Sequence, residues 1–347
     1  MLRDRSWGLI GETSKLRARY PAIAYYTNSI PSSPYKRASM MDSRQRWLRL
    51  IVNGKAAGDV GLRAAVGRLR SGGTHVEVRV TWEGGDAARL AAEAGLAGVD
   101  VVVAAGGDGT INEVVTGLMG LDGSFDTAVA VVPFGTANDF ATGCDIPKGD
   151  PWAALKLAAE GRATPIDVGK VNSRYFINVA SGGFGAQVTA ETPPQLKKAI
   201  GGAAYSLMGL VTAAKMTPYR GKLITPDGEQ PGSMILMAVG NGRCAGGGYQ
   251  VAPKALLDDG LLDVMVVVDV DVREFGLLLS ELMNLGAAEN RYAVYRQLRS
   301  FRIQAEQPLH MNLDGEPILD TSFDFDILPR RLPFILPESA PLSGRSP

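Results

Sequence analysis

Between residues 47 and 160 the chain alternates two kinds of segment. Short apolar runs at 47–53, 75–81, 99–105 and 127–133 have the length of buried strands. Between them apolar positions recur at helical spacing, at about 58–71, 86–97 and 110–119, with another helical stretch near 150–160. Repeated strand–helix units predict an α/β domain, a parallel sheet with helices on both faces. Ligands of such sheets bind outside the carboxyl ends of the strands. Four segments converge on that edge: Asn53-Gly54-Lys55, Thr81, the turn beginning at Gly106, and Pro133-Phe134-Gly135-Thr136-Ala137-Asn138-Asp139.

The second half has a different texture. Apolar runs near 175–180, 221–225, 233–240, 261–268, 301–305 and 323–328 are separated by Gly, Pro and Asp turns, and helical spacing intrudes around 195–216 and 272–288. This predicts a mostly antiparallel β domain with helical insertions. The change falls near Thr164-Pro165-Ile166-Asp167, so the expected division is 47–166 and 167–330. Residues 1–46 are polar, broken by Pro21, Pro31 and Pro34, and without periodicity. With Met40 and Met41 just before the first strand, they are expected to be a disordered arm or the product of an upstream start. The Pro-rich tail 331–347 is expected to pack loosely, with a final strand returning to the first domain as the alternative.

Composition narrows the chemistry. Lys+Arg and Asp+Glu both number 36, so no global field argues for nucleic acid. Two cysteines, Cys144 and Cys244, show no zinc or redox spacing and suit a reducing cytoplasm. Two histidines, His75 and His310, leave little room for a His-rich metal cluster or a Ser-His-Asp triad. Catalysis must rest on carboxylates. The uncharged stretch 199–214, between Lys198 and Lys215, is too short to span a bilayer but is a candidate lipid-facing helix, with a buried core helix as the alternative.

Gly106-Gly107-Asp108-Gly109-Thr110, with Asn112 two further on, follows the apolar run from Val99 to Ala105 and opens a helical pattern at Ile111, Val114, Val115 and Leu118. Strand, glycine turn and helix N-terminus together make an anion site, because glycine lets backbone N–H groups approach phosphate oxygens. Thr110 and Glu113 also fit a capping box, a purely structural task. Asp108 between glycines makes sense beside polyphosphate if it binds a metal or a substrate hydroxyl. Walker A is absent, since Lys55, Lys170 and Lys222 follow glycine but none precedes Ser or Thr.

Three motifs together, Gly106 through Val114, Pro133 through Ala141 and Leu313-Asp314-Gly315-Glu316-Pro317, resemble the diacylglycerol kinase catalytic family. More narrowly, Gly182-Gly183-Phe184-Gly185, Gly240-Asn241-Gly242-Arg243 with Gly246-Gly247-Gly248, and the run from Leu257 to Asp263 resemble the bacterial YegS-type lipid kinases. The loop Asn53-Gly54-Lys55 departs from the Asn-Pro loop of many relatives. The resemblance implies two domains around a cleft and transfer of the ATP γ-phosphate to a lipid hydroxyl of diacylglycerol or phosphatidylglycerol type. Thr81, Gly107, Asp108, Gly109, Thr110, Ile111, Asn112, Glu113 and Thr136 would contact ATP. Glu316 would accept the hydroxyl proton. Asp259, with the carbonyls of Leu256 and Leu261, would hold Mg2+, and Ca2+ also suits such oxygen ligands. The resemblance further implies a cytoplasmic protein in peripheral contact with the membrane.

Each role has a plain structural counterpart. Asp314-Gly315 is a ready hairpin turn and Asp259-Gly260 an ordinary one. Two other functions stay open at this point. In a nicotinamide dinucleotide kinase, which shares a Gly-Gly-Asp-Gly turn, Asp108 would be the base. The other is a nucleotide-binding regulator without turnover.

Overall fold

The computed structural model describes residues 46–121, 126–183 and 218–343. Most of the predicted N-terminal arm and the stretch 199–214 lie outside the described residues. The first half reads β1 (Trp47–Val52), α1 (Val60–Ser71), β2 (His75–Val80), α2 (Asp86–Ala97), β3 (Val101–Gly106), α3 (Asp108–Met119), β4 (Ala128–Pro133), α4 (Asp139–Gly143) and α5 (Pro151–Glu160). Strands β4, β3, β1 and β2 lie side by side in that order, all parallel. Branched residues at consecutive positions explain the burial of both faces, for Val101, Val102 and Val103 are all within 1% of full burial.

One face of this sheet packs on α2, α3 and α4 through Leu90, Ile111, Val115, Leu118 and Phe140. The other packs on α1 and α5 through Leu62, Leu69 and Leu155. Local chemistry starts the helices: Asp59 caps α1 by accepting from the N–H of Leu62, and Asp150 caps α5 by accepting from Ala153, with Pro151 in the first turn. Arg46 closes the other end of α5, donating to the carbonyls of Ala159 and Gly161. Helices α2 and α3 touch backbone to backbone, since a Cβ on Gly117 would lie 2.0 Å from the Ala88 carbonyl oxygen. Gly117→Ala is therefore expected to lower unfolding free energy by about 1–3 kcal/mol, the usual cost of overpacking, read from the urea midpoint. An unchanged midpoint would mean that the two helices separate freely.

The second half is mostly antiparallel: β5 (Ala163–Val171), β6 (Arg174–Phe176), β7 (Val179–Gly183), β8 (Tyr219–Thr225), β9 (Gly228–Gly240), the short pair β10 (Cys244–Ala245) and β11 (Tyr249–Gln250), β12 (Leu262–Val268), α6 (Phe275–Met283), β13 (Ala293–Leu298), β14 (Ser300–Leu313) and β15 (Glu316–Ile335). The order β13-β12-β9-β7-β14-β15 is antiparallel throughout, with β8 bridging β9 and β14. Its core holds Phe176, Met237, Phe301, Met311, Phe323 and Phe325, the rings of Phe301 and Phe325 stacking at 4.5 Å.

The composition shift near 164–167 falls within β5, which runs straight through it, antiparallel to β15. At the start of the tail it is the returning strand, and not loose packing, that forms. β15 continues past Pro329, enters between β5 and β4, and pairs in parallel with β4 at Phe334 and Val129. Pro329 is tolerated because it lies in a register shift between Leu328 and Leu332, where Arg330 turns to φ 49°. Beyond it Leu332 and Phe334 are fully buried, Phe334 against Phe140 at 5.2 Å, and Leu336 and Leu342 join the same core.

Candidate active site

The glycine turn sits where β3 hands over to α3. Gly107 is the N-cap, and the N–H groups of Thr110 and Ile111 close back onto its carbonyl. Those of Asp108 and Gly109 have no partner within the helix and remain first-turn donors for an anion. Glycine is required by proximity here. A Cβ on Gly107 would lie 2.9 Å from the Gly135 Cα, and one on Gly135 2.5 Å from the Gly107 Cα. The turns after β3 and β4 therefore press backbone to backbone. Asn138, at φ 51°, clips the second turn shut with two 2.8 Å hydrogen bonds to Gly135, which leaves Thr136 exposed.

On the other side, the Asn53 amide donates to the Thr110 hydroxyl at 3.3 Å, and the Gly54 N–H to the Thr81 hydroxyl at 3.4 Å. Thr81, the 107–113 segment and Thr136 thus share one edge of the sheet.

The carboxylates have partners that no local reading supplies. Both oxygens of Asp108 accept backbone N–H groups at 3.1 Å, from Asp139 and Phe140, so Asp108 caps α4. Asp139 in turn reaches into the second half, accepting from Gly247 at 2.9 Å and Gly248 at 2.6 Å. Burial pushes the Asp139 carboxyl up, those bonds pull it down, and the Asp108 charge adds to the rise. The capping box expected of Thr110 and Glu113 does not form. Helix α3 starts two residues earlier, at Asp108, and Glu113 instead accepts from Gly85 and Ala87 at the start of α2. Burial raises the Glu113 carboxyl, and the charge of Glu316 adds to the rise.

Glu316 arrives by a tight hairpin. Asp314 and Gly315 form the two-residue link between β14 and β15, with φ 50° and 103°, both positive as a type I′ turn demands. The turn is locked from behind. The buried Asp314 carboxylate accepts from the N–H groups of Ile177, Asn178 and Val179 and from the Asn112 amide at 3.0 Å. Glu316 stands exposed beyond it, and an added Cβ on Gly109 would lie 3.9 Å from its Oε1. The carboxylate hangs over the first turn of α3.

Burial pushes the Asp314 carboxyl up to about 6 against the pull of its four hydrogen bonds. A folded value above the ordinary carboxylate value means that this group's stabilisation is full below about 4 and is lost as pH rises through about 6. The melting-temperature gap between wild type and Asp314→Asn is therefore expected to widen as pH falls from 7 to 4.5. A gap independent of pH would show an ordinary carboxylate.

The segment from Leu256 to Leu261 lies against a different partner. Asp167, fully buried, accepts from Gly260 at 2.7 Å and from Arg330 at 2.6 Å, which fixes the Asp258-Asp259-Gly260 turn against the crossover of β15. Asp259 accepts from the N–H of Leu261 at 3.0 Å. Its carboxyl is pushed up to about 6 by burial, with Asp263, Asp167 and Asp258 adding to the rise. Among the described residues no three His, Cys, Asp or Glu side chains cluster as a metal site. One carboxylate with backbone carbonyls needs no such cluster, and an oxygen-only set crowded with negative charge fits a hard cation.

Sequence reasoning missed Asp139, Asp167 and the buried role of Asp314. Their signal was present in the sequence: Asp139 follows Asn138, Asp314 precedes Gly315, and Asp167 stands alone between the apolar Ile166 and Val168. Cys144 and Cys244 are buried free thiols whose acidity burial suppresses. In the second half an apolar cavity of about 260 Å³ opens between β8, β9, β12, β13 and β14, lined by Leu223, Met234, Met237, Val264, Val266 and Ile303. Among the described residues no helix is long and apolar enough to cross a membrane.

With this geometry in place, comparison with known proteins is direct. Residues 47–171 match the diacylglycerol kinase catalytic domain, and residues 178–336 the YegS C-terminal NAD kinase beta sandwich-like domain. A Chromohalobacter salexigens protein named "Probable lipid kinase YegS-like" is 47% identical over 84% of this chain and 94% of its own length. Its namesake in Xanthomonas axonopodis pv. citri is 45% identical over 85% of this chain and 98% of its own. The crystal structure of a diacylglycerol kinase from Bacillus anthracis str. Sterne superposes with a TM-score of 0.70 at 26% identity, covering 85% of this chain and 99% of that one. An α/β domain carrying the glycine turn, a mostly antiparallel β domain carrying the Glu316 hairpin, and these matches along both lead to one conclusion: the chain belongs to the YegS-like lipid kinase family, built on the diacylglycerol kinase catalytic domain.

Proposed function

We propose that this chain transfers the γ-phosphate of ATP to the hydroxyl of a membrane lipid of diacylglycerol or phosphatidylglycerol type. The observation that carries the reading is the position of Glu316 over the first turn of α3, within reach of Gly109. Phosphates held by the N–H groups of that turn and a hydroxyl approaching past Glu316 would meet there. Phosphoryl transfer asks for positioning and charge neutralisation more than covalent help. Asp108, Gly109, Thr110, Ile111, Asn112 and Glu113 supply the helix start, with Thr81 and Thr136 at either rim. Glu316 accepts the hydroxyl proton as the bond from the lipid oxygen to the γ-phosphorus forms and the bond from that phosphorus to the β,γ-bridging oxygen breaks, releasing ADP.

Residues 47–166 act as the nucleotide half and residues 167–330 as the lipid half, whose apolar cavity suits hydrocarbon. Asp259 with the carbonyls of Leu256 and Leu261 would hold Mg2+, or Ca2+. A cation there would supply the positive charge that the surrounding aspartates call for. The protein works from the cytoplasm, touching the bilayer peripherally.

Incubation with γ-labelled ATP and either total membrane lipid or NAD, followed by thin-layer separation, tests the reading. Labelled lipid is expected. Labelled dinucleotide without labelled lipid would instead make the chain a dinucleotide kinase, and no transfer to either would leave the regulator.

A further inference from the structure

Trp82 follows Thr81 at the end of β2 and is 95% exposed. An indole is rarely left so bare, because it carries a large apolar surface with a single polar atom. The backbone beneath it is firmly held. The Trp82 N–H donates to Asp86 at 2.8 Å, and Arg89 braces Asp86 from the side. Glu113 ties Gly85 and Ala87 of the same turn to α3. Gly54 closes on Thr81 so tightly that a Cβ would lie 2.8 Å from its carbonyl oxygen. A rigid turn beside the candidate phosphate site thus presents an open aromatic face.

Spacing says what that face meets. The end of β2 is two strands from the end of β3, with β1 between them, about 10 Å across the sheet. That is the scale separating the phosphates from the base in a nucleoside triphosphate. On the β4 side the backbone crowds close, with Gly135 packed on Gly107 and Asn138 clipping the loop, so that only Thr136 and Ala137 stand out. On the β2 side Gly54, Lys55, Trp82, Glu83 and Gly84 lie exposed.

We infer that Trp82 is the stacking platform for the nucleobase of the phosphate donor. The inference rests on the nucleotide reading of this cleft and adds to it a residue, a direction for the ligand and a selectivity. Stacking favours any base, so discrimination between adenine and guanine is expected to be weak.

Binding of ATP and of tripolyphosphate, measured by calorimetry on wild type, Trp82→Ala and Trp82→Phe, tests it. Loss of one base–aromatic contact is expected to weaken ATP by about tenfold or more in Trp82→Ala. Tripolyphosphate affinity should not change, and Trp82→Phe should restore most of the ATP affinity. ATP binding unchanged in Trp82→Ala, or tripolyphosphate weakened equally, overturns the stacking role while leaving the cleft reading intact. Wild type that binds neither ligand sinks both. A Trp82 fluorescence shift caused by phosphatidylglycerol vesicles, with none caused by ATP, would reassign the indole to the membrane surface.

Discussion

Asp108→Asn is expected to lower lipid phosphorylation at least about a hundredfold, the low end for a lost electrostatic or acid–base partner. Each Asp108 oxygen accepts one N–H at the start of α4. An amide offers one acceptor and turns its NH2 toward the other donor, so Asp139 or Phe140 is left facing a like group. The disturbance then passes through Asp139 to Gly247 and Gly248. Two modes of action separate by comparison with Asp139→Asn. If Asp108 works by seating α4, both variants lose turnover to a similar degree. If it works on the reacting groups, Asp108→Asn alone is inactive. Full turnover with an intact fold would place the nucleotide elsewhere.

Glu316→Gln is the second large effect. The substitution keeps volume and hydrogen-bonding reach but removes the ability to take up a proton. Lipid phosphorylation is expected to fall about a hundredfold or more, with ATP affinity and melting temperature retained. The fold should be indifferent, because Glu316 is exposed and the turn is locked by Asp314 and not by its neighbour. A loose, dissociative transition state needs little help from a base, so the loss is expected to rank below that of Asp108→Asn. Near-normal turnover of Glu316→Gln beside an inactive Asp108→Asn would pass the base role to Asp108, as in a dinucleotide kinase.

Much of the first half is legible because its strands obey one simple rule. Runs such as Val101-Val102-Val103 are apolar at every position, as strands buried on both faces must be. β5 is harder to read, since Pro165, Asp167 and Gly169 break its apolar pattern. Each break answers to a distant contact: Pro165 pairs with Pro333, Asp167 holds Gly260 and Arg330, and a Cβ on Gly169 would run into the Phe176 ring. α4 is likewise invisible, because five residues behind a left-handed Asn138 show no period. The glycine turn and the Asp-Gly hairpin stand out because their chemistry is local. What faces them is not. The meeting of Glu316 with Gly109, and of Asp108 with α4, depends on how elements far apart in the chain come together.

The path of β15 has a consequence for how the molecule is made. Its last residues, Leu332 to Ile335, lie between β5 and β4, so the sheet of the first half is completed by a segment synthesised long after the rest of it. Domains usually fold in order as they leave the ribosome. Here residues 47–171 emerge with the edge of β4 still unpaired and with Phe140 lacking the ring of Phe334. Such an edge invites pairing with other chains until its own strand arrives. The nascent enzyme therefore waits on its C-terminal region to finish its N-terminal domain, and a ribosome that stalls before residue 330 leaves behind a half that is sticky and inactive.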